Sequence, residues 1–532
     1  MLQKVIEVVI ISSPGPTPKA LSVRKRPEVQ LETAAACSAP TYSANRDSNS
    51  LESGPVPIHP DLSAAVTAEI AASEILGGEK GRMLFLKDEY FQVWSMDLAA
   101  DRDYRHSLIP GGAHTYSRGD DTFPSSAPPI LSRGKGVAVW DSDGNRFVDW
   151  AMALKSVSIG HAETAVDFGA HRLARRGVNM SRPTAEEFEL AETLKRHIPS
   201  AEMVKFGKNG SDATAAAIRL ARAYTGRDLV IRPREDPFLG VHDWFIGSTI
   251  MNRGVPEVVR SLTINYPRGD LDALESLFRQ NSGKVAAVIL EPTISEETCS
   301  PHYKNLKQIV SRNGAILIFD ETITGFRYGL AGAQGRLDVV PDLSTFGKAI
   351  ANGYPLSALV GRREIMRLGG IDHEENRVFL MSSTYGAERS AIGAGIASLK
   401  FMERHDVAGA LRKTGTALIA KLISSARDNG LSEKFLVGGD PANPFFSFPD
   451  EDGGQDFVLK TLFMEHFLSK AILLSSNWFT PAFRHQGRAL RKTLRAIDEV
   501  FYDVGNIVRR DHVPLASYLR GQPINQVFRQ KN

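Results

Sequence analysis

The stretch "GAILIFDETITGFRYG", residues 314–329, decides the fold. Ala315 to Phe319 form an unbroken apolar run, bounded by Gly314 before it and by two carboxylates, Asp320 and Glu321, after it. A run that short and that uniformly apolar predicts a strand buried on both faces, as in a parallel sheet covered by helices. Similar runs, "LVIR" and "VAAVILEP", precede it between about 165 and 400, and helical patterns such as "DATAAAIRLARAYTG" and "YKNLKQIVSRNG" alternate with them. The alternation implies βα units around a largely parallel sheet. Asp320 then stands at the carboxyl end of a central strand, where open α/β sheets gather their ligands.

Outward from this centre the pattern changes. "GVAVWDSDGNRFVDW", 136–150, alternates around Asp143-Gly144-Asn145 and predicts a β-hairpin. Mixed segments follow residue 430 and end in the amphipathic "GRALRKTLRAIDEVFYDVG", 487–505. Residues 12–60 hold eight prolines in a Ser-, Ala- and Thr-rich background without helix or strand period, so 1–60 reads as a disordered arm. Helical patterns such as "LSAAVTAEIAASEIL" begin at 62. The expected organisation is an arm (1–60), a helical segment with part of a small domain (61–164), a large domain (165–400) and the rest of the small domain (401–532).

The bulk composition excludes several classes. The 532 residues carry a net charge of +3, which gives no argument for nucleic acid or an acidic membrane as partner. Two cysteines exclude a disulfide framework and a zinc site built mainly from thiolates, and they suit a reducing compartment. The early apolar run "VIEVVII", 5–11, is broken by Glu7 and is too short to span a bilayer or to serve as a good signal core. A cytoplasmic protein is the expectation, with no metal site.

Three features could carry chemistry. In "STFGKAI", 344–350, Lys348 follows Gly347 inside an apolar segment. An apolar, partly dry setting lowers a lysine pKa and makes its amine a nucleophile; the plain alternative is an exposed loop lysine. In "KFGKNGSDATAAAIRLARAYTG", 205–226, Asn209-Gly210-Ser211 opens an Ala-rich helix. Its free N–H groups and dipole suit a phosphate, although an ordinary N-cap has the same appearance. Asp320 needs a cationic partner: a pyridinium N–H, or Arg327 in an ion pair, or else a capping role. A phosphate cradle, an Asp at a strand end and a lysine shortly after it are together the anchors that pyridoxal 5'-phosphate requires, since that cofactor supplies an electron sink and the protein supplies orientation. Neither a GxGxxG fingerprint nor a GxxxxGK[ST] loop occurs in a suitable context, which disfavours an NAD-dependent dehydrogenase.

"LIFDETITGFR" followed by "DLSTFGKAIANGYPLSALVG", 342–361, resembles the signature of the class III pyridoxal-phosphate aminotransferases. "LIPGGAHTYSRG" and "VAVWDSDGNRFVDW" make the chain look most like the glutamate-1-semialdehyde 2,1-aminomutase branch. The resemblance spans about residues 105–505. It implies fold type I of the pyridoxal-phosphate-dependent transferases: a large α/β domain with a mostly parallel sheet flanked by helices, a small α+β domain from both chain ends, and a homodimer. It makes Lys348 the Schiff-base lysine and Asp320 the partner of the ring nitrogen. Gly210 and Ser211 fall on the phosphate turn. Phe238 and Thr322 would flank the ring, Thr384 would reach the phosphate of the neighbouring subunit's cofactor, and Arg118 would hold a substrate carboxylate. Arg118 also has a plainer reading, a surface pair with Asp120 or Asp121.

Two departures limit what carries over. The family's "YHGWHDW" is "FLGVHDW" at 238–244, so the tyrosine hydroxyl is lost. The Gly-rich run after "EP" reads "EPTISEETCS", 291–300, so the substrate does not transfer. The expected activity is therefore amino-group transfer from a donor, glutamate being the candidate, to a carbonyl acceptor. Rival readings are an intramolecular aminomutase with the same residues and, from another class, an inactive pyridoxal-phosphate fold kept as a binding module.

Overall fold

The computed structural model describes residues 101–295, 298–475, 477–510 and 512–529. The expected arm at 1–60 and the helical pattern from 62 lie outside the described residues.

Thirteen short strands are described, in three sheets. β1 (Leu131–Lys135), β2 (Ala138–Asp141) and β3 (Arg146–Asp149) form an antiparallel meander. The β2–β3 hairpin turns at Asp141 to Asn145, where the Asp141 carboxylate accepts from the Asn145 N–H at 2.7 Å and its side chain at 2.9 Å.

The large sheet contains β4 (Met203–Gly207), β5 (Leu229–Pro233), β6 (Thr263–Tyr266), β7 (Val285–Leu290), β8 (Ile316–Glu321), β9 (Leu343–Phe346) and β10 (Ser357–Gly361). Their spatial order is β4-β10-β9-β8-β7-β5-β6. β10 runs antiparallel to both neighbours; every other pair is parallel. β7 and β8 are buried along their whole length. That is why they read as continuous apolar runs rather than as alternating ones. One hydrophobic core covers each face. Leu306, Ile309 and Val310, from the helix Ser300–Arg312, belong to one; Ala213, Ala217 and Ala221, from the helix Gly210–Thr225, belong to the other.

A further core gathers Val148 and Trp150 with residues from 418 to 524. β13 (Ile472–Leu473) joins it by pairing parallel to β3, and β11 (Leu436–Gly438) pairs with β12 (Phe445–Ser447) beside it. The amphipathic segment 487–505 is the helix Arg488–Val508, with Ile497, Val500, Phe501 and Val504 buried. Arg327 links this body to the large sheet. Its guanidinium is fully buried and donates to the carbonyls of Ala442 and Pro481, each at 2.8 Å.

Candidate active site

The register of the large sheet sets the centre of the site. Asp320 on β8 lies opposite Thr345 on β9. The Thr345 hydroxyl donates to Asp320 Oδ1 at 2.8 Å, and the Thr322 N–H donates to the same oxygen at 3.0 Å. Oδ2 has no hydrogen-bond partner among the described residues. Burial pushes the Asp320 carboxyl up to about 6, Glu291 adds to the rise, and the Thr322 and Thr345 donors oppose it. Arg327 bonds elsewhere, so an Asp320–Arg327 pair does not form. Neither does Asp320 cap a helix.

Lys348 begins a short 3₁₀ turn directly after β9, at φ 45°. Left-handed backbone costs a non-glycine residue roughly 1–2 kcal/mol and persists where the surroundings impose it, often at functional sites. Lys348 is largely buried and makes no hydrogen bond or ion pair among the described residues. Burial lowers its ammonium below the ordinary lysine value; Glu291 and Asp320 oppose that shift and Arg327 adds to it. An exposed loop lysine is therefore not what the chain builds.

The helix Gly210–Thr225 points its first turn at the same place. The Asn209 side chain accepts the Asp212 N–H at 3.1 Å. The N–H groups of Gly210 and Ser211 keep no partner among the described residues. The Ser211 hydroxyl accepts the Val241 N–H at 3.1 Å and retains its own hydrogen. Thr214 donates to the Leu239 carbonyl at 2.7 Å, which ties the 238–241 loop to this helix end. Gly210 must be glycine: a Cβ there would stand 2.8 Å from Thr322 Oγ1 and 2.9 Å from its Cγ2. At Gly347 a Cβ would stand 3.2 Å from the same methyl. Gly210, Thr322 and Gly347 thus close on one another.

The remaining expected residues lie further out. Phe238 is 44 % exposed and meets Phe245 edge-on at 5.8 Å. Thr384 is exposed, and its carbonyl accepts from Asn179 at 3.0 Å. Its loop is held by Glu388, which pairs with Lys208 at 2.9 Å and caps the helix Arg389–Arg404. Arg118 is exposed and forms neither of the surface pairs considered from sequence. Asp120 pairs instead with Arg105 at 2.8 Å and His106 at 3.0 Å, and Asp121 pairs with Arg529 at 2.5 Å.

Two charged groups at this centre escaped the sequence reading. Glu291, at the end of β7, is 6 % exposed and its carboxylate has no hydrogen bond among the described residues. Lys155 ends a turn, Met152 to Lys155, whose four residues have φ of 42°, 48°, 56° and 71° with no glycine among them. Asn352, four residues after Lys348, fastens the segment just beyond that turn: its side chain accepts from the Ser158 and Ile159 N–H groups at 3.1 and 2.9 Å and donates to Gly160 at 3.0 Å. The signal for Lys155 was the one used for Lys348, a lysine set between apolar residues.

Comparison with known proteins matches this architecture. The sequence profile of the family Aminotransferase class-III covers residues 122–433. Similar solved structures include the PLP internal aldimine form of the FumI protein from Sphingopyxis sp. MTA144, with 25 % identity, TM-score 0.70, and 81 % of this chain and 98 % of that one covered. An omega-transaminase from Sphaerobacter thermophilus aligns with 23 % identity and TM-score 0.69 over 78 % of this chain and 99 % of the other. A glutamate-1-semialdehyde-aminomutase from Pseudomonas aeruginosa PAO1 aligns with 21 % identity and TM-score 0.68 over 77 % and 95 %. Among the described residues no helix is long and apolar enough to cross a membrane.

The residues present fit the family's cofactor. A phosphate monoester needs free N–H groups at a helix start, and a protonated ring nitrogen needs an uncommitted, buried carboxylate oxygen. Gly210 and Ser211 supply the first and Asp320 Oδ2 the second. The profile spans more than half of the 532 residues, and this chain belongs to the class III aminotransferases, a family of pyridoxal-phosphate-dependent enzymes.

Proposed function

We propose that this enzyme transfers an amino group from an amino donor, glutamate being the candidate, to a carbonyl acceptor. One observation carries the reading: an unbonded lysine amine and an unbonded carboxylate oxygen lie at adjacent strand ends, beside a helix start with free N–H groups. When bound, pyridoxal phosphate supplies an electron sink for the carbanion formed at the donor carbon.

The chain's own groups do the rest. Lys348 Nζ would hold the cofactor covalently and, once released by the donor, would carry the proton between the substrate carbon and the cofactor carbon that had been bound to Nζ. Its lowered pKa supports that role, because a base must be neutral before it can take a proton. Asp320 Oδ2 would keep the ring nitrogen protonated, an interaction that strengthens as negative charge develops. Gly210 and Ser211 would hold the phosphate, with Thr322 and Phe238 on the two faces of the ring. Arg118, exposed and free of Asp120 and Asp121, would take a substrate carboxylate.

Homodimer formation, with Thr384 reaching the neighbouring subunit's phosphate, belongs to the same reading and is supported by the exposure of Thr384. The division into a cofactor domain at 165–400 and a smaller domain with parts in 61–164 and 401–532 is also proposed, supported, among the described residues, by the separate core around Trp150 and Phe463.

The test is an absorption spectrum of the purified protein before and after glutamate. A visible band that borohydride bleaches, shifted to shorter wavelength by glutamate with release of 2-oxoglutarate, supports the reading. A band that glutamate leaves unchanged favours the aminomutase or a different donor. Absence of a band after adding pyridoxal phosphate refutes the function and leaves a binding module.

A further inference from the structure

We propose that Lys155 is a specificity-determining residue, a buried cation that pairs with a carboxylate carried by the substrate. The proposal rests on the aminotransferase reading and adds an anchor to its site.

The first observation is that Lys155 is an exception among the buried cations. Five Lys or Arg side chains are buried among the described residues: Lys155, Arg232, Arg327, Arg389 and Lys460. Arg232 donates to Ser248 and to carbonyls, and Arg327 donates to the Ala442 and Pro481 carbonyls. Arg389 meets Glu186 and the Arg176 carbonyl, and Lys460 meets Asn477. Lys155, only 5 % exposed, has no hydrogen bond and no ion pair among the described residues. Its Nζ lies 3.9 Å above the Trp478 ring, a contact that steadies a cation without consuming its N–H donors. A buried ammonium with three unused donors is costly unless a ligand completes it.

The second observation is placement. The segment Ser158 to Gly160, three residues beyond the left-handed turn that ends at Lys155, is tied by three bonds to Asn352, four residues beyond Lys348. Burial lowers the Lys155 ammonium well below its ordinary value, Lys348 and Arg327 add to that and Glu291 opposes it, so a bound carboxylate would favour the charged form. The backbone there adopts the left-handed region for four successive residues without glycine, which persists only where the surroundings over-determine it.

The third observation selects the ligand. One ammonium balances one negative charge. Glu291 also acts on Lys155, and it would repel a dianionic phosphoryl group more strongly than a singly charged carboxylate. Lys155 and Glu291 form no ion pair with each other.

The experiment uses the holoenzyme with glutarate, an unreactive dicarboxylate, and pentanediamide, its neutral analogue. Binding is measured by calorimetry and by the cofactor's absorption for wild type, Lys155→Met and Lys155→Arg. Methionine keeps the stem that packs on Trp478; arginine keeps the charge. Glutarate binding should weaken about tenfold or more in Lys155→Met, the size of a lost charge-assisted hydrogen bond, and recover in Lys155→Arg. Pentanediamide binding should not change. Equal glutarate affinity in wild type and Lys155→Met, or no glutarate binding by wild type, overturns the proposal. Should Lys155→Met fail to fold, protection of wild-type Lys155 from cyanate by glutarate, read by peptide mass spectrometry, decides instead: protection supports the anchor and equal labelling overturns it. Loss of the cofactor band in wild type is a separate outcome that refutes the aminotransferase reading.

Discussion

Replacing Asp320 with asparagine should stabilise the cofactor-free protein at neutral pH. The carboxyl is 5 % exposed, and burial raises it from 3.8 to about 6. Between those values the folded chain binds more protons than the unfolded chain, so the contribution of Asp320 to stability falls as pH rises. Integrated over a shift of that size, wild type should lose roughly 2 kcal/mol between about pH 4.5 and pH 8 from this group alone. The asparagine does not titrate and removes that slope, while its amide can still meet the Thr345 hydroxyl through its carbonyl oxygen. Urea unfolding of the apo forms, at one fixed protein concentration and at both pH values, isolates the difference. Subtracting the two proteins cancels the other titrating groups. Asp320→Asn should gain on wild type by roughly 2 kcal/mol from the acid to the alkaline condition. A pH-independent difference, or a gain at acid pH, would refute the claim that the carboxyl is held in a desolvated place. Adding pyridoxal phosphate should invert the ranking, because the cation it brings favours the ionised carboxylate.

Other substitutions probe the rest of the site. Lys348→Ala should abolish turnover while pyridoxal phosphate still binds reversibly, so that gel filtration strips it from the variant and not from wild type. Gly210→Ala brings a Cβ within 2.8 Å of Thr322 Oγ1 and should weaken cofactor binding by roughly 1–3 kcal/mol; the double variant with Thr322→Ala should recover much of that loss, and no recovery would contradict the close approach. Thr384→Ala should lower cofactor affinity without altering sedimentation, and unchanged affinity would remove Thr384 from the phosphate.

The alternation of apolar runs and helical segments was enough to infer the sheet, because strands buried on both faces leave a pattern that does not depend on partners. Lys348, Asp320 and the Gly210–Ser211 turn were legible because each sits where a strand or helix ends, and ends are marked by glycine, asparagine and carboxylates. Partnerships were not legible. Arg118 stands two residues from Asp120, yet Arg105 and His106 hold that carboxylate from a preceding helix. Asp320 and Thr345 meet through register, which no local pattern specifies. The turn at Met152–Lys155 was invisible for a different reason: left-handed backbone is ordinarily announced by glycine, and here tertiary packing imposes it on four residues that would not choose it.

The position of β10 has a consequence for how the enzyme matures. The Gly210–Ser211 turn follows β4 and the Lys348 turn follows β9, and β10 is the wedge between those two strands. β4 and β10 are separated by about 150 residues of chain, so their pairing closes a long loop and should form late. A growing polypeptide that has not yet delivered residues 357–361 has both halves of the site but nothing to set their spacing. On the proposed assignment of these turns, cofactor capture would follow completed folding rather than guide it, and pyridoxal phosphate would lengthen the life of the finished chain without hastening its formation.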